Sequence, residues 1–189
     1  MADLFFNPTV HEFRLNGVVL PSVTTILKAE GFINTTHYTY SGRDRGTRVH
    51  EKCHLLNVGQ LDETALDADI TPYVEAYKTF LTDTDFYVVE SELRIHNATY
   101  GYAGTLDIIG YYPQGKRPYV VDIKTGTMMP WTALQLAAYA LCLEEPHGRT
   151  GLQLSAEGKY KATEFTDRKD LQTWLAALTT YKWKQNNLK

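Results

Sequence analysis

Two acidic residues and a lysine form the most informative pattern in the sequence. Asp122 and Lys124 stand two positions apart in the stretch 119–126, which is typical of a β-strand followed by a glycine turn. Side chains two apart on a strand point to the same face, so these two form either a plain ion pair or part of a reactive site. An antiparallel hairpin would set Asp107, on the preceding predicted strand, beside Asp122. Two neighbouring carboxylates repel each other unless a cation lies between them, so the pair predicts a hard divalent metal ion.

A third acidic group comes from the strand before these two. Over residues 86–96 the side chains alternate between an apolar face and a polar face: Tyr87, Val89, Leu93 and Ile95 on one, Glu90, Glu92, Arg94 and His96 on the other. Glu92 is the candidate for the metal site, and Glu90 shares its predicted face and stays an alternative. Both could instead be solvated groups on an edge strand.

Two polar residues stand out on a predicted helix that is otherwise rich in alanine and leucine. Gln135 and Tyr139 are four positions apart, so they project from one side of that helix. They are either site residues, or a tyrosine packed in the core and a glutamine hydrogen-bonded to the backbone.

A histidine follows a cluster of arginines on another predicted helix. His50 is preceded by Arg43, Arg45 and Arg48. His50 and His54 are one turn apart, a spacing that suits zinc, but no third ligand of matching type lies near them in the sequence. The arginines are either a functional basic cluster or a solvated helix face.

The elements that must position these residues follow from turn, cap and periodicity signals. The first elements are a hairpin over 11–20 that turns at Asn16-Gly17 and a short helix between its cap at Ser22 and its stop at Gly31. Further helices are expected over 43–57, from Thr71-Pro72 onward, over 130–143 and after a cap at Asp167. Strands are expected over 86–96, 102–112, 118–123 and 149–165, the last being one strand or a hairpin that turns near Gly158. A mixed sheet flanked by helices is the economical packing, so the predicted fold class is α/β. No repeat or linker divides the chain, so we expect a single domain over residues 1–189.

Composition narrows the classes of function. The 189 residues carry a formal net charge of −3 and are 43% hydrophobic, which is typical of a globular chain and is not the strong basic excess of many nucleic-acid binders. No apolar run is long enough to span a membrane, and the N-terminus lacks the features of a secretory signal, so we expect a cytoplasmic protein without a membrane partner. Cys53 and Cys142 are too few to hold an iron–sulfur cluster or a zinc ion alone.

Five short motifs occur in an order that resembles a known family. They are Arg45-Gly46-Thr47-x-x-His50, Ser91-Glu92-Leu93, Gly104-Thr105-Leu106-Asp107, Asp122-Ile123-Lys124-Thr125-Gly126 and Gln135-x-x-x-Tyr139. Together they resemble the RecB-like exonuclease branch of the PD-(D/E)XK nuclease superfamily, over about Pro21 to Tyr139. The resemblance implies a restriction-endonuclease-like core, in which a mixed central sheet is flanked by helices. Some relatives hold an iron–sulfur cluster with four cysteines, which this sequence does not contain.

The resemblance also implies roles for the candidate residues. His50, Asp107, Asp122 and the Ile123 carbonyl would hold one or two Mg²⁺ or Mn²⁺ ions, and Glu92 would support the site. Lys124 would orient or help to deprotonate the attacking water. Gln135 and Tyr139 would position the nucleic-acid strand, and the arginines at 43, 45 and 48 would bind phosphates.

The function implied in this way is metal-dependent hydrolysis of phosphodiester bonds in DNA. The chain is similar to phage-type exonucleases of replication, recombination or repair, which would act in the host cytoplasm and alongside a recombination or single-strand annealing protein. A structure-specific endonuclease or resolvase on the same core is an alternative. A non-catalytic DNA-binding subunit is another, and the presence of Asp107, Asp122 and Lys124 together disfavours it.

Overall fold

A computed structural model describes residues 4–36, 39–145 and 147–188. The strands are β1 Leu4–Asn7, β2 Glu12–Leu15, β3 Val18–Leu20, β4 Tyr87–Asn97, β5 Tyr102–Tyr111, β6 Tyr119–Lys124, β7 Gly148–Leu154 and β8 Tyr160–Glu164. The α-helices are α1 Val23–Ala29, α2 Tyr40–Asn57, α3 Thr71–Thr84, α4 Trp131–Ala140 and α5 Lys169–Asn187, and one turn of 3₁₀ helix spans Glu63–Ala65. Among the helices in these ranges, none has the length and apolar character needed to cross a bilayer.

The central feature is a five-stranded mixed sheet in the order β4-β5-β6-β7-β8. Only β6 and β7 pair in parallel, because α4 carries the chain from the end of one strand back to the start of the other. The other neighbours pair antiparallel. A separate sheet, β1-β2-β3, precedes α1. The predicted α/β class with a mixed sheet between helices is confirmed.

Helices cover both faces of the large sheet and create two hydrophobic cores. One core joins the sheet to α1, α4 and α5 and contains Ile109 and Val120. The other joins it to α2 and α3 and contains Ile108 and Val121. Both faces of the central strands are therefore buried, which explains why their sequences are almost continuously apolar.

In β4 and β5 the alternation of side chains between the two faces of the sheet is interrupted partway along the strand, so that residues two apart point to opposite faces. We call this a change of face. Leu106 packs in the core of α4, whereas Ile108, two residues later, packs in the core of α2. Ser91 is hydrogen-bonded to His54 of α2, whereas Leu93, two residues later, packs on the α4 side. Regular alternation would keep residues two apart on one face. The change of face therefore falls at Glu92 on β4 and at Asp107 on β5.

The uninterrupted alternation predicted for residues 86–96 is wrong for this reason. The register of β4 against β5 shifts between Val88 and Glu90, which is the mark of a β-bulge. Tyr87 and Val89 are exposed, while Ile95, predicted to share their face, is buried. A bulge depends on pairing with the partner strand, so it leaves no mark in the hydrophobic pattern of one segment.

Most predicted helices and turns are present, with shifted ends. Ser22 caps α1 by accepting a hydrogen bond from the Thr25 N–H at 3.0 Å, and Asn16 and Gly17 both have positive φ, as a type I′ turn requires. Helix α2 begins three residues earlier than predicted because Thr39 caps it. Thr71 is the first residue of α3 rather than its cap. Strand β1 was not predicted, and α4 ends at Ala140, before Leu143.

Candidate metal centre

Three side chains from three elements converge where β4 and β5 change faces. His50 Nδ1 lies 3.3 Å from Asp107 Oδ1 and 3.9 Å from Glu92 Oε1. One nitrogen and two carboxylate oxygens thus lie within 4.8 Å of one another. Ligand atoms around a single Mg²⁺ are separated by roughly 3 Å, so this group needs only a small contraction to hold a divalent ion.

The backbone of Ile123 orients two members of this group. Its N–H donates to Asp107 Oδ2 at 2.7 Å, and its carbonyl oxygen lies 3.0 Å from His50 Nε2. A histidine that gives one ring N–H to a backbone carbonyl keeps the other ring nitrogen free for a metal. The second nitrogen, Nδ1, is the one that faces the two carboxylates. Residue 123 therefore fixes the orientation of the His50 ring and the direction of Asp107.

The charges of the group are strongly coupled. Burial by itself lowers the pKa of His50, but the charge of Asp107 and the hydrogen bond to it raise this pKa to about 9. Burial acts to raise the pKa of Asp107, yet the opposing charges of His50 and Lys124 hold it below its ordinary value. Burial and the negative charge of Asp107 raise the pKa of Glu92 to about 7. Crowded carboxylates with a raised pKa mark a site that favours additional positive charge.

Asp122 lies outside the three-residue group and forms an ion pair with Lys124. Its Oδ2 is 2.7 Å from Lys124 Nζ, so the two side chains share a face as the sequence predicts. The residue is only 1% exposed. Burial, with the charge of Asp107, raises the pKa of Asp122 to about 6 against the opposing effect of Lys124. The expected ligand set is thus brought together only in part, because Asp122 and the Ile123 carbonyl contact Lys124 and His50 instead.

A chain of hydrogen bonds runs from Lys124 into helix α4. Lys124 Nζ donates to Gln135 Oε1 at 3.2 Å, and Gln135 Nε2 donates to the Tyr139 hydroxyl at 3.0 Å. The Lys124 ammonium also lies 4.9 Å from the ring centre of Trp131, in a cation–π contact. Trp131 is not among the site residues expected from the sequence, although its place in the first turn of α4 brings it next to the end of β6.

Gln135 and Tyr139, which were expected to position a nucleic-acid strand, are buried in the free protein. Gln135 is 5% and Tyr139 4% exposed, and both polar groups are used inside the protein. The one-sided spacing of the pair is as predicted. Their side of α4 faces the sheet, because the helix packs on β6 and β7. Gln135 therefore contacts Lys124, and Tyr139 contacts Gln135.

Gly104 is required by the ring of Tyr139. A Cβ atom at position 104 would lie 2.6 Å from Tyr139 Cε1, which is closer than real side chains pack. The glycine of one motif therefore makes room for the tyrosine of another. This gives a packing reason for glycine in the Gly104-Thr105-Leu106-Asp107 segment.

The three arginines have different environments. Arg43 is exposed. Arg45 stacks over the Tyr73 ring at 5.3 Å, and its Nε is buried without a hydrogen-bond partner. Arg48 is held by three carboxylates, those of Asp44, Asp67 and Asp69, at 2.6–3.1 Å. Of the expected phosphate-binding residues, Arg43 is thus the one that solvent reaches freely, whereas Arg48 is already paired.

The structure separates the two glutamates that the sequence left as alternatives. Glu90 is exposed, whereas Glu92 turns towards His50. Glu92 has φ of +53°, a left-handed conformation that costs a residue other than glycine about 1–3 kcal/mol. His54 does not join His50 as a ligand, because its Nδ1 is hydrogen-bonded to Ser91 Oγ at 2.6 Å.

The architecture that positions this site is that of a group of nucleases. No protein-family model matches the sequence, and no curated protein is similar enough to count as a match. Among solved structures, the chain is similar to LHK-Exo in complex with dAMP, with a TM-score of 0.50, 13% identity and 87% of each chain covered. LHK-Exo is an alkaline exonuclease from Laribacter hongkongensis.

A second solved structure gives the same result. It is a candidate exonuclease from Eubacterium rectale, with a TM-score of 0.51, 13% identity, and coverage of 82% of this chain and 69% of the other. At this identity the comparison establishes the fold. The fold expected from the five motifs is thus confirmed, and it is the fold of these exonuclease structures.

Gly104→Ala tests the contact with Tyr139. Because the added methyl group overlaps the ring, we expect a loss of about 1–3 kcal/mol in the free energy of unfolding, measured by urea denaturation. Gly126→Ala is the matched control, since a Cβ there has nothing within 4 Å. Combining Gly104→Ala with Tyr139→Leu should restore part of the loss. If the losses of the two single variants simply add, the ring does not require the glycine.

Proposed function

We propose that this protein is a single-domain, metal-dependent nuclease that hydrolyses phosphodiester bonds in DNA, and that it acts as an exonuclease in replication, recombination or repair. The observation that carries the proposal is the convergence of His50, Glu92 and Asp107 where β4 and β5 change faces, with Lys124 close by. Two exonuclease structures with the same fold support it. The cytoplasm, that of a host if the protein comes from a phage, is the proposed location.

The donor set of the site fits Mg²⁺ or Mn²⁺. Carboxylate oxygens suit both ions, and the imidazole nitrogen of His50 shifts the preference towards Mn²⁺. A bound ion of this kind would make water nucleophilic near neutral pH and neutralise charge on the phosphate. His50, Glu92 and Asp107 are the proposed ligands. Asp122 and the Ile123 carbonyl, implied by the resemblance, remain proposed as further ligands.

Lys124 is the proposed catalytic cation. Asp122, Gln135 and the face of Trp131 hold its ammonium on three sides. A fixed ammonium at this place can donate a hydrogen bond to the attacking water or the phosphate and stabilise the hydroxide that develops. Because the buried Gln135 accepts a hydrogen bond from Lys124 and donates one to the buried Tyr139, we propose that the two residues position this lysine.

DNA is the proposed substrate, and its phosphates would meet the basic side chains of α2. Arg43 is exposed and can bind a phosphate, whereas Arg48 would first have to release its ion pairs with Asp67 and Asp69. Phosphate contacts of this kind position a nucleic acid without reading its sequence. A recombination or single-strand annealing protein is a further proposed partner.

A digestion time course on end-labelled linear, nicked and closed circular DNA tests the proposal. We expect release of nucleotides from linear DNA in Mg²⁺ or Mn²⁺, no reaction in EDTA, and no cutting of closed circles. Cleavage of closed circles would favour an endonuclease or resolvase. The absence of any cleavage with either ion would contradict the nuclease assignment.

Asp107→Asn should abolish cleavage and weaken metal binding. The amide keeps the shape of the carboxylate but removes the charge that a divalent ion needs, so the Kd for Mn²⁺ should rise by more than the roughly 10–100-fold typical of residues behind the ligands. Isothermal titration calorimetry with MnCl₂ measures the Kd. Glu90→Gln removes an exposed acid on the neighbouring strand β4 and should leave both properties unchanged. Near wild-type cleavage by Asp107→Asn would show that the site is misassigned.

Lys124→Met should separate DNA binding from turnover. Methionine keeps the length of the side chain without its charge, so we expect DNA to bind while the single-turnover rate falls about 10²-fold or more, as for lost proton-transfer groups. Fluorescence anisotropy of labelled DNA measures the binding. An unchanged rate would remove Lys124 from the reaction.

A further inference from the structure

Glu92 has a backbone conformation that its position in a strand does not explain. Among the described residues other than glycine, four have positive φ: His11, Asn16, Asp85 and Glu92. The first three lie in turns or at the end of a helix. Glu92 alone lies inside a strand, with paired residues on both sides. A left-handed residue other than glycine persists only where its surroundings hold it in place.

The pairing between β4 and β5 does not hold it. Ser91 pairs with Ile108 and Leu93 with Leu106, but Glu92 and Asp107, which would face each other, are not paired. The carboxylate of Asp107 is instead bonded to the Ile123 N–H. Glu92 therefore has no strand partner of its own, and contacts other than the ladder contribute to its conformation.

The contact next to Glu92 comes from helix α2. His54 Nδ1 and Ser91 Oγ are joined by a hydrogen bond of 2.6 Å, and both side chains are partly buried. His54 lies one turn after His50 on the same side of the helix. Helix α2 thus contacts two successive residues of β4: His54 binds Ser91, and His50 faces Glu92.

This contact fixes the point where β4 changes faces. Before Glu92, Ser91 is on the side of α2, and after it, Leu93 packs on the side of α4. The hydrogen bond to His54 keeps Ser91 on its side while Leu93 is held in the opposite core. The backbone of Glu92 must therefore reverse the alternation between Ser91 and Leu93, and its carboxylate points towards His50 and Asp107.

We propose that Ser91 and His54 are positioning residues whose hydrogen bond holds Glu92 in its left-handed conformation, with the carboxylate directed into the metal group. The proposal rests on the proposed function only in taking Glu92 as a ligand of the divalent ion. Neither Ser91 nor His54 touches the ion or the substrate. Their effect is on the affinity of the site for metal.

Calorimetric titration of the DNA-free protein with MnCl₂ tests this directly. Ser91→Ala should raise the Kd for Mn²⁺ about 10-fold, the lower end of the range for residues that orient metal ligands. His54→Phe keeps a ring but removes the nitrogen, and it should raise the Kd similarly. Ser91→Thr retains the hydroxyl and should retain most of the affinity. Circular dichroism melting without metal identifies any variant that fails to fold.

A double-mutant cycle with Glu92→Gln distinguishes positioning from a general structural role. If Ser91 acts through Glu92, then Ser91→Ala should raise the Kd in the wild-type background and leave it unchanged when residue 92 is already glutamine. Equal effects in the two backgrounds, or no effect of Ser91→Ala in a folded protein, would overturn the proposal. Glu90→Gln serves as the control for loss of a nearby charge.

The same titration separates this proposal from the proposed function. If the wild-type protein bound no Mn²⁺, or if Asp107→Asn bound it equally well, the metal site itself would be wrong. If the wild-type protein binds Mn²⁺ through Asp107 and Ser91→Ala binds it with the same Kd, only the positioning role fails.

Discussion

The site depends on a gap in the hydrogen-bond ladder between β5 and β6. Pairing of these strands stops at Ile108 and Val121, although β6 continues to Lys124 against β7. In a strand the N–H and C=O of one residue point to the same neighbour, so those of Ile123 face the place where β5 has turned away. Buried backbone groups need partners. Asp107 and His50 supply them, and in doing so both become fixed side by side.

The charges of the site follow from this arrangement. Asp107 is placed between two groups of residues: His50 and Glu92 on the side of α2, Asp122 and Lys124 on the side of α4. Its charge raises the pKa of Glu92 and that of Asp122, while His50 and Lys124 lower its own. The carboxylate of Asp107 thus interacts electrostatically with both groups of residues, which differ in whether they already contain a positive charge. The group with His50 and Glu92 offers ligand atoms for a metal ion. The other group already contains the ammonium of Lys124, which protein groups hold in place.

The sequence predicts the parts of this site that depend on periodicity within one element. The two-residue spacing places Asp122 and Lys124 on one face, and a hairpin is enough to bring Asp107 near them. The left-handed Glu92, the change of face in two strands, and the burial of Gln135 and Tyr139 depend on which elements pack together. The pairing of Arg48 with the carboxylates of residues 67 and 69 depends likewise on a loop distant in sequence. Contacts of this kind leave no signal in a local pattern.

The contact of Gly104 with Tyr139 constrains the order in which the two positions can change during evolution. With the tyrosine present, every side chain larger than hydrogen at 104 overlaps its ring. A replacement at 104 is therefore accepted only after position 139 has become smaller, whereas a smaller residue at 139 leaves a cavity but meets no steric overlap with Gly104. The substitution at 139 must therefore come before the substitution at 104. Lineages that keep the aromatic ring should keep the glycine, and larger residues at 104 should occur only together with a smaller residue at 139.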